Sequence, residues 1–151
     1  MKRFRFPLRP VAILRAHQEN RAREAFAAAV RSFVKSEEEL ARTRVRMRAL
    51  EAELFSGREQ TYRADQAALL FADYRRECGT EAEVERQTIA AREEMQQRRN
   101  DYLEAHRKVE VVQRLEEKAR VVHRRETDRE EQAEFDDFAG RRRIKPFTAA
   151  L

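Results

Sequence analysis

Along the first third of the chain, apolar side chains recur at seven-residue intervals: Phe26, Phe33, Leu40, Met47 and Leu54. Almost everything between them is charged or small. The positions three residues on, Ala29, Ser36, Thr43 and Leu50, are mostly small, so the stripe is narrow. A seven-residue period holds apolar groups on one slowly rotating stripe of an α-helix, and such a stripe is buried by lying along another helix. The pattern predicts a first helix over about 11–55, a rod of roughly 65–70 Å at 1.5 Å per residue. Pro10 is placed to open it, because the first turn does not need the missing N–H.

Two breaks can turn the chain. Ser56-Gly57 is followed by Glu59, and Gly79-Thr80 is followed by Glu83, so each pairs a helix-ending Gly with a Ser/Thr-x-x-Glu cap. The stretch Thr61–Cys78 between them is itself helical in pattern. The bend region is therefore about 56–80, with the turn at Gly57 or Gly79. From Val84 the pattern resumes through Thr88, Ala91, Met95, Arg98, Tyr102, Ala105, Val109 and Val112, then Leu115, Ala119 and Val122. The consecutive three-residue steps Val109–Val112–Leu115 imply local overwinding. Beyond Arg124 the charges of Glu126, Arg129 and Glu130 interrupt the stripe before Ala133, Phe135 and Phe138, and the second helix is expected to reach about 138. Pairs such as Glu38–Arg42, Glu94–Arg98, Glu104–Lys108, Glu110–Arg114 and Glu116–Arg120 support the exposed faces, at about 0.2–0.5 kcal/mol each. The expected fold is all-α: a single domain over 1–151, an antiparallel two-helix coiled-coil hairpin with disordered or mobile termini.

Composition agrees with that reading. The 151 residues include only three Gly and three Pro, no Trp, 40% charged and 8% aromatic side chains. That suits long helices with wet faces and too little apolar bulk for a wide core. The single cysteine, Cys78, has no internal disulfide partner and suits a reducing compartment. No apolar run approaches bilayer-spanning length, and no apolar segment of signal-peptide type follows the basic N-terminus, so no transmembrane segment is expected and the protein reads as cytoplasmic. Charge is uneven. Residues 1–15 and 141–151 contain no acid and together carry +9 of a net +5, which leaves −4 for residues 16–140. A closed hairpin would bring the basic tails, 1–10 and 141–151, to one end, where they would attract an acidic surface.

No catalytic constellation is visible. His17, His106 and His123 lie far apart and share no ligand spacing with Cys78, and no Gly-rich phosphate loop is present, so neither enzyme, metal nor cofactor is expected. Arginines in the centre alternate with glutamates instead of forming a continuous basic helix, which argues against nucleic acid as the partner. What remains are apolar groups that a hairpin leaves uncovered. Leu69, Leu70, Phe71 and Tyr74 lie near the bend, and Phe4, Phe6, Phe135, Phe138 and Phe147 at the basic end. Some of them packing against each other is the plain reading; two partner sites are the functional one.

The opening run Phe4-Arg5-Phe6-Pro7-Leu8-Arg9-Pro10-Val11-Ala12-Ile13-Leu14-Arg15 resembles that of the FliJ family of flagellar type III export proteins, which alternates Phe and basic residues before an aliphatic cluster. Glu134–Arg141 resembles the family's acidic-aromatic C-terminal end, and the length, hairpin plan and charge pattern match over the whole chain. Pro10 and Asp137 depart from the usual residues. The resemblance implies a non-enzymatic, stalk-like coupling protein that binds the hexameric export ATPase and promotes its assembly. It also implies contact with the cytoplasmic part of the export gate and with export chaperones, at a site peripheral to the inner membrane. The ATPase end would carry Arg3, Phe4, Arg5, Phe6, Arg9, Phe138, Arg141, Arg142 and Arg143. By family position the gate side would carry Leu70, Phe71 and Tyr74. The stalk protein of a virulence-type secretion system, of the YscO type, shares this architecture, and a generic cytosolic coiled-coil scaffold is the alternative from outside export.

Overall fold

A computed structural model describes residues 3–56 and 63–143 of the chain, with backbone only at Arg142 and Arg143. Two helices account for nearly all of them: α1, Arg9–Ser56, and α2, Ala64–Arg143. No strand occurs among the described residues. The start of α1 follows a turn in which the Arg9 amide donates to the Phe6 carbonyl at 3.3 Å and the Ala12 amide to the Leu8 carbonyl at 3.0 Å. Pro10 sits in the first turn, where it removes no helical bond. At the start of α2 the Arg63 carbonyl accepts from the amides of Gln66 and Ala67 at 3.0 and 3.1 Å, and Asp65 faces the positive end of the helix dipole.

The chain does not turn at Gly79-Thr80. The helix runs through both, so the expected bend stretch 56–80 is helical from Ala64 onward, and Gly57 lies outside the described residues. Gly79 keeps a helical backbone, and a side chain added there would meet nothing within 4 Å. Its cost is then one of propensity alone, about 1 kcal/mol against Ala, which the packed turns on either side absorb. Thr80 bonds backwards, its hydroxyl donating to the Arg76 carbonyl at 3.1 Å, instead of capping a new helix. The second helix also continues past 138, to Arg143.

The packing divides into two units, Gln18–Ala105 and Met1–His17 with His106–Leu151. In the first, α1 and α2 run antiparallel as a coiled coil. Phe26, Phe33, Leu40, Met47, Leu50 and Leu54 are half-buried along the seam, while Ala29 and Thr43 are fully inside it. From α2 come the buried Val84 and Thr88 and the half-buried Ala91, Met95, Tyr102 and Ala105; Arg98 stays outside, paired with Glu94 at 2.7 Å. The Phe26 and Tyr102 rings stack with centroids 6.3 Å apart and planes 8° from parallel. The Thr88 hydroxyl reaches the Ser36 carbonyl across the seam at 3.2 Å and the Val84 carbonyl of its own helix at 2.8 Å. Along the rim Arg44 bridges Glu81 and Glu85 at 2.9 and 3.1 Å, and Arg46 meets Glu77 at 3.3 Å. Hydrogen bonding from Glu81, ahead of the other contributions, holds the Arg44 guanidinium above its ordinary pKa.

In the second unit Val109 and Val112 are buried, and there the expected stripe departs from the real one. Leu115 and Val122 are 43% and 52% exposed, whereas Glu116, Ala119 and His123 are half-buried. The spacing stays at alternating three and four, so no overwinding occurs. Geometry outweighs hydropathy at this point. Overwinding the supercoil for one leucine would strain every later contact, while Glu116 covers apolar surface with its stem and keeps its carboxylate on Arg120 at 2.7 Å. Among the exposed-face pairs, Glu38–Arg42 and Glu94–Arg98 form as well, but Glu110 reaches His106 at 3.9 Å and not Arg114.

Candidate functional site

The N-terminal arm is where the sequence places the ATPase end, and it is seated on α2. Phe6 is 8% exposed and Phe4 is half-buried. The Phe4 ring meets His123 edge-on, with centroids 5.4 Å apart, and the Arg120 guanidinium lies 5.5 Å above the same ring. An aromatic edge contact and a cation over the ring face each contribute roughly 0.5–1.5 kcal/mol, enough to seat a short arm that has no helix of its own. Arg3, Arg5, Arg9 and Arg120 then converge around Phe4, Phe6 and a single carboxylate, Glu116. The result is a cationic cluster with an aromatic floor. Arg3 also borders Arg124, Thr127, Asp128 and Glu131 further along α2.

Arg141, the basic side chain of the C-terminal end that the described residues include, does not lie beside the arm as the hairpin reading expected. Arg3 lies beside residues 120–131, and Arg141 is ten residues past Glu131 on the same helix, about 15 Å away at 1.5 Å per residue. The cause is the longer α2, which overshoots an arm that folds down upon it. Over this stretch Phe138 is 61% exposed and Arg141 is exposed. The side chains of Arg142 and Arg143, and all of Lys145 and Phe147, lie outside the described residues, as does the expectation of mobile termini for residues 1–2 and 144–151.

Near the start of α2, the residues that the family resemblance assigns to the gate side separate into two kinds. Leu70 and Tyr74 belong to the seam and are half-buried, whereas Phe71 is 55% exposed beside Leu69 at 68%. The Tyr74 hydroxyl donates to Glu51 of α1 at 2.9 Å, and that bond, with lesser effects from Cys78, pushes its pKa up from 10.0 to about 12. Tyr74 therefore ties the helices together here, and Phe71 faces solvent.

Arg120 and His123 are the site residues that the sequence reading missed. Carrying the three-four spacing past Val112 without demanding apolar residues would have put Glu116 and His123 in the seam and revealed a ring for Phe4 to meet. Among the described residues no group of three His, Cys, Asp or Glu side chains is placed to hold a metal, and no helix is long and apolar enough to cross a membrane. Cys78 is half-buried. The chemistry available is recognition by arginines and exposed apolar groups.

A family model described as Flagellar FliJ protein matches residues 4–146, nearly the whole chain. No match was found among curated proteins or among solved structures.

Proposed function

The chain belongs to the FliJ family, non-catalytic components of flagellar type III export, and we propose that within that machinery it is the stalk of the hexameric export ATPase. In this reading the cationic, aromatic-floored cluster of Arg3, Phe4, Arg5, Phe6 and Arg9, with Phe138 and Arg141–143 beyond it on α2, binds the ATPase and promotes its assembly. Phe71, positioned by Leu70 and Tyr74, meets the cytoplasmic part of the export gate, and export chaperones bind elsewhere on the same coiled coil. The protein works in the cytoplasm, at the inner face of the membrane.

The family match over residues 4–146 carries this proposal. The seated arm supports it physically: four arginines around one glutamate form a surface that an acidic or carbonyl-rich ring interior would complement. The test is steady-state ATP hydrolysis by the cognate export ATPase with and without this protein. Stimulation is expected, falling as ionic strength rises, and reduced when Arg141, Arg142 and Arg143 are changed together to Ser with helix content unchanged. Equal stimulation by wild type and variant at low and high salt would show the charge to be incidental, and no stimulation at all would remove the stalk reading.

A further inference from the structure

The arm occupies only one flank of the helix pair in its unit. Residues one position after a seam residue line that flank: Ile13 and Ala16 on α1 share a groove with Gln113 and Arg120 on α2. Residues one position before a seam residue lie on the opposite flank, because each step turns the helix by about 100°. There the antiparallel pair presents Val11 and Leu14 of α1 level with Val111 and Leu115 of α2, and Val122 follows two turns later. All five are exposed, at 38%, 52%, 57%, 43% and 52%. Isolated exposed aliphatics are ordinary, but five along one flank of a helix pair, with Val11 and Leu115 facing each other across the helices, are not.

Between Glu104 and Glu126, which bracket it, charge on this flank of α2 has one sign. Lys108 and Lys118 alternate with the aliphatic residues, Arg125 follows, and Arg107 and Arg114 form the outer row. No acid lies on this side of α2 from Arg107 to Arg125: Glu110 and Glu117 come one position after a seam residue and Glu116 is in the seam. From Leu8 to Gln18, α1 contains no acid at all. Arg114, Lys118 and Arg125 form no ion pair among the described residues.

We propose that this groove is a docking site for an amphipathic helix from a partner protein, with an aliphatic stripe and acidic flanks. The aliphatic groups stand on both walls of a groove between two helices, which accepts the ridge of a third helix, whereas a lipid surface meets convex features better. Arg114, Lys118 and Arg125 on the rim select the charge of the incoming flanks. This site lies on the other flank from the seated arm and does not rest on the export reading.

The test uses the full chain and a fluorescein-labelled synthetic helix with leucines at alternating three- and four-residue spacing and glutamates beside them, read by anisotropy. Binding is expected for this peptide and not for its lysine-flanked counterpart. Lys118→Glu with Arg125→Glu should weaken it about tenfold or more at low salt, with a smaller effect at high salt. Leu115→Glu should abolish it, with circular dichroism unchanged because the position is exposed. Several results overturn the proposal: no binding of the acidic peptide, equal binding of both peptides, or binding that survives Leu115→Glu. So does finding that phosphatidylglycerol vesicles, or a second copy of the chain in a concentration-dependent dimer, take these residues instead.

Discussion

Replacing Phe26 with Ala measures how much a two-helix seam gains from its aromatic contact. Complete burial of a Phe side chain contributes about 1.5–3 kcal/mol, and Phe26 is largely but not fully buried, so about 1–2.5 kcal/mol is at stake from burial. Its ring also stacks on Tyr102 at 6.3 Å and 8°, a pair arrangement that adds about 0.5–1.5 kcal/mol. The expected loss is about 2 kcal/mol. That is below the 3–5 kcal/mol typical of Phe→Ala in a closed core, because water can enter a seam open on both sides and no cavity is left. Urea unfolding followed by circular dichroism should show a midpoint lower by about 1 M for a slope near 2 kcal/mol/M. A double-mutant cycle with Phe26→Leu and Tyr102→Leu isolates the ring-to-ring part, expected at about 0.5–1.5 kcal/mol. Phe135→Ala is the internal control: at 70% exposure it should change stability by no more than about 0.5 kcal/mol. If Phe26→Ala costs no more than Phe135→Ala, the seam assignment fails. If the cycle shows no coupling, burial matters there and the stack does not.

Two further outcomes follow from the geometry. Val112→Asp should destabilise the protein by at least about 2 kcal/mol, whereas Leu115→Asp should cost only the shared helix-propensity penalty of about 0.5 kcal/mol; equal urea midpoints for the two would restore the overwound stripe. The Tyr74 phenol titrates at about 12 when folded against 10.0 when unfolded, so the stability it contributes is complete below pH 10 and is lost as the pH rises through 12. Tyr74→Phe should therefore lower stability at neutral pH, where the Glu51 bond is intact, and show a smaller further loss as the pH rises from 10 to 12; an identical pH profile for wild type and variant would show that the Glu51 bond does not hold in solution.

The sequence by itself determined the helical class, the antiparallel pairing and the seam from Phe26 to Leu54 with its partners from Val84 to Ala105. A seven-residue period is buried by lying along another helix, and a chain with three glycines and 40% charged residues has little material for a wide core. It also determined the family, through short aromatic and basic motifs at the ends. Tertiary structure decided three other matters. It kept Gly79 helical, because the cost of one glycine is local while the packed turns around it act together. It placed Glu116 and His123 in the seam and left Leu115 and Val122 outside, because supercoil spacing is a property of the helix pair and not of any residue's hydropathy. And it seated the arm on His123 and Arg120 while α2 ran on past it to Arg143, because contacts between residues more than a hundred positions apart leave no periodic mark on the chain. The exposed aliphatic groove follows from that same register, since a stripe displaced by one position turns residues that look like core towards solvent.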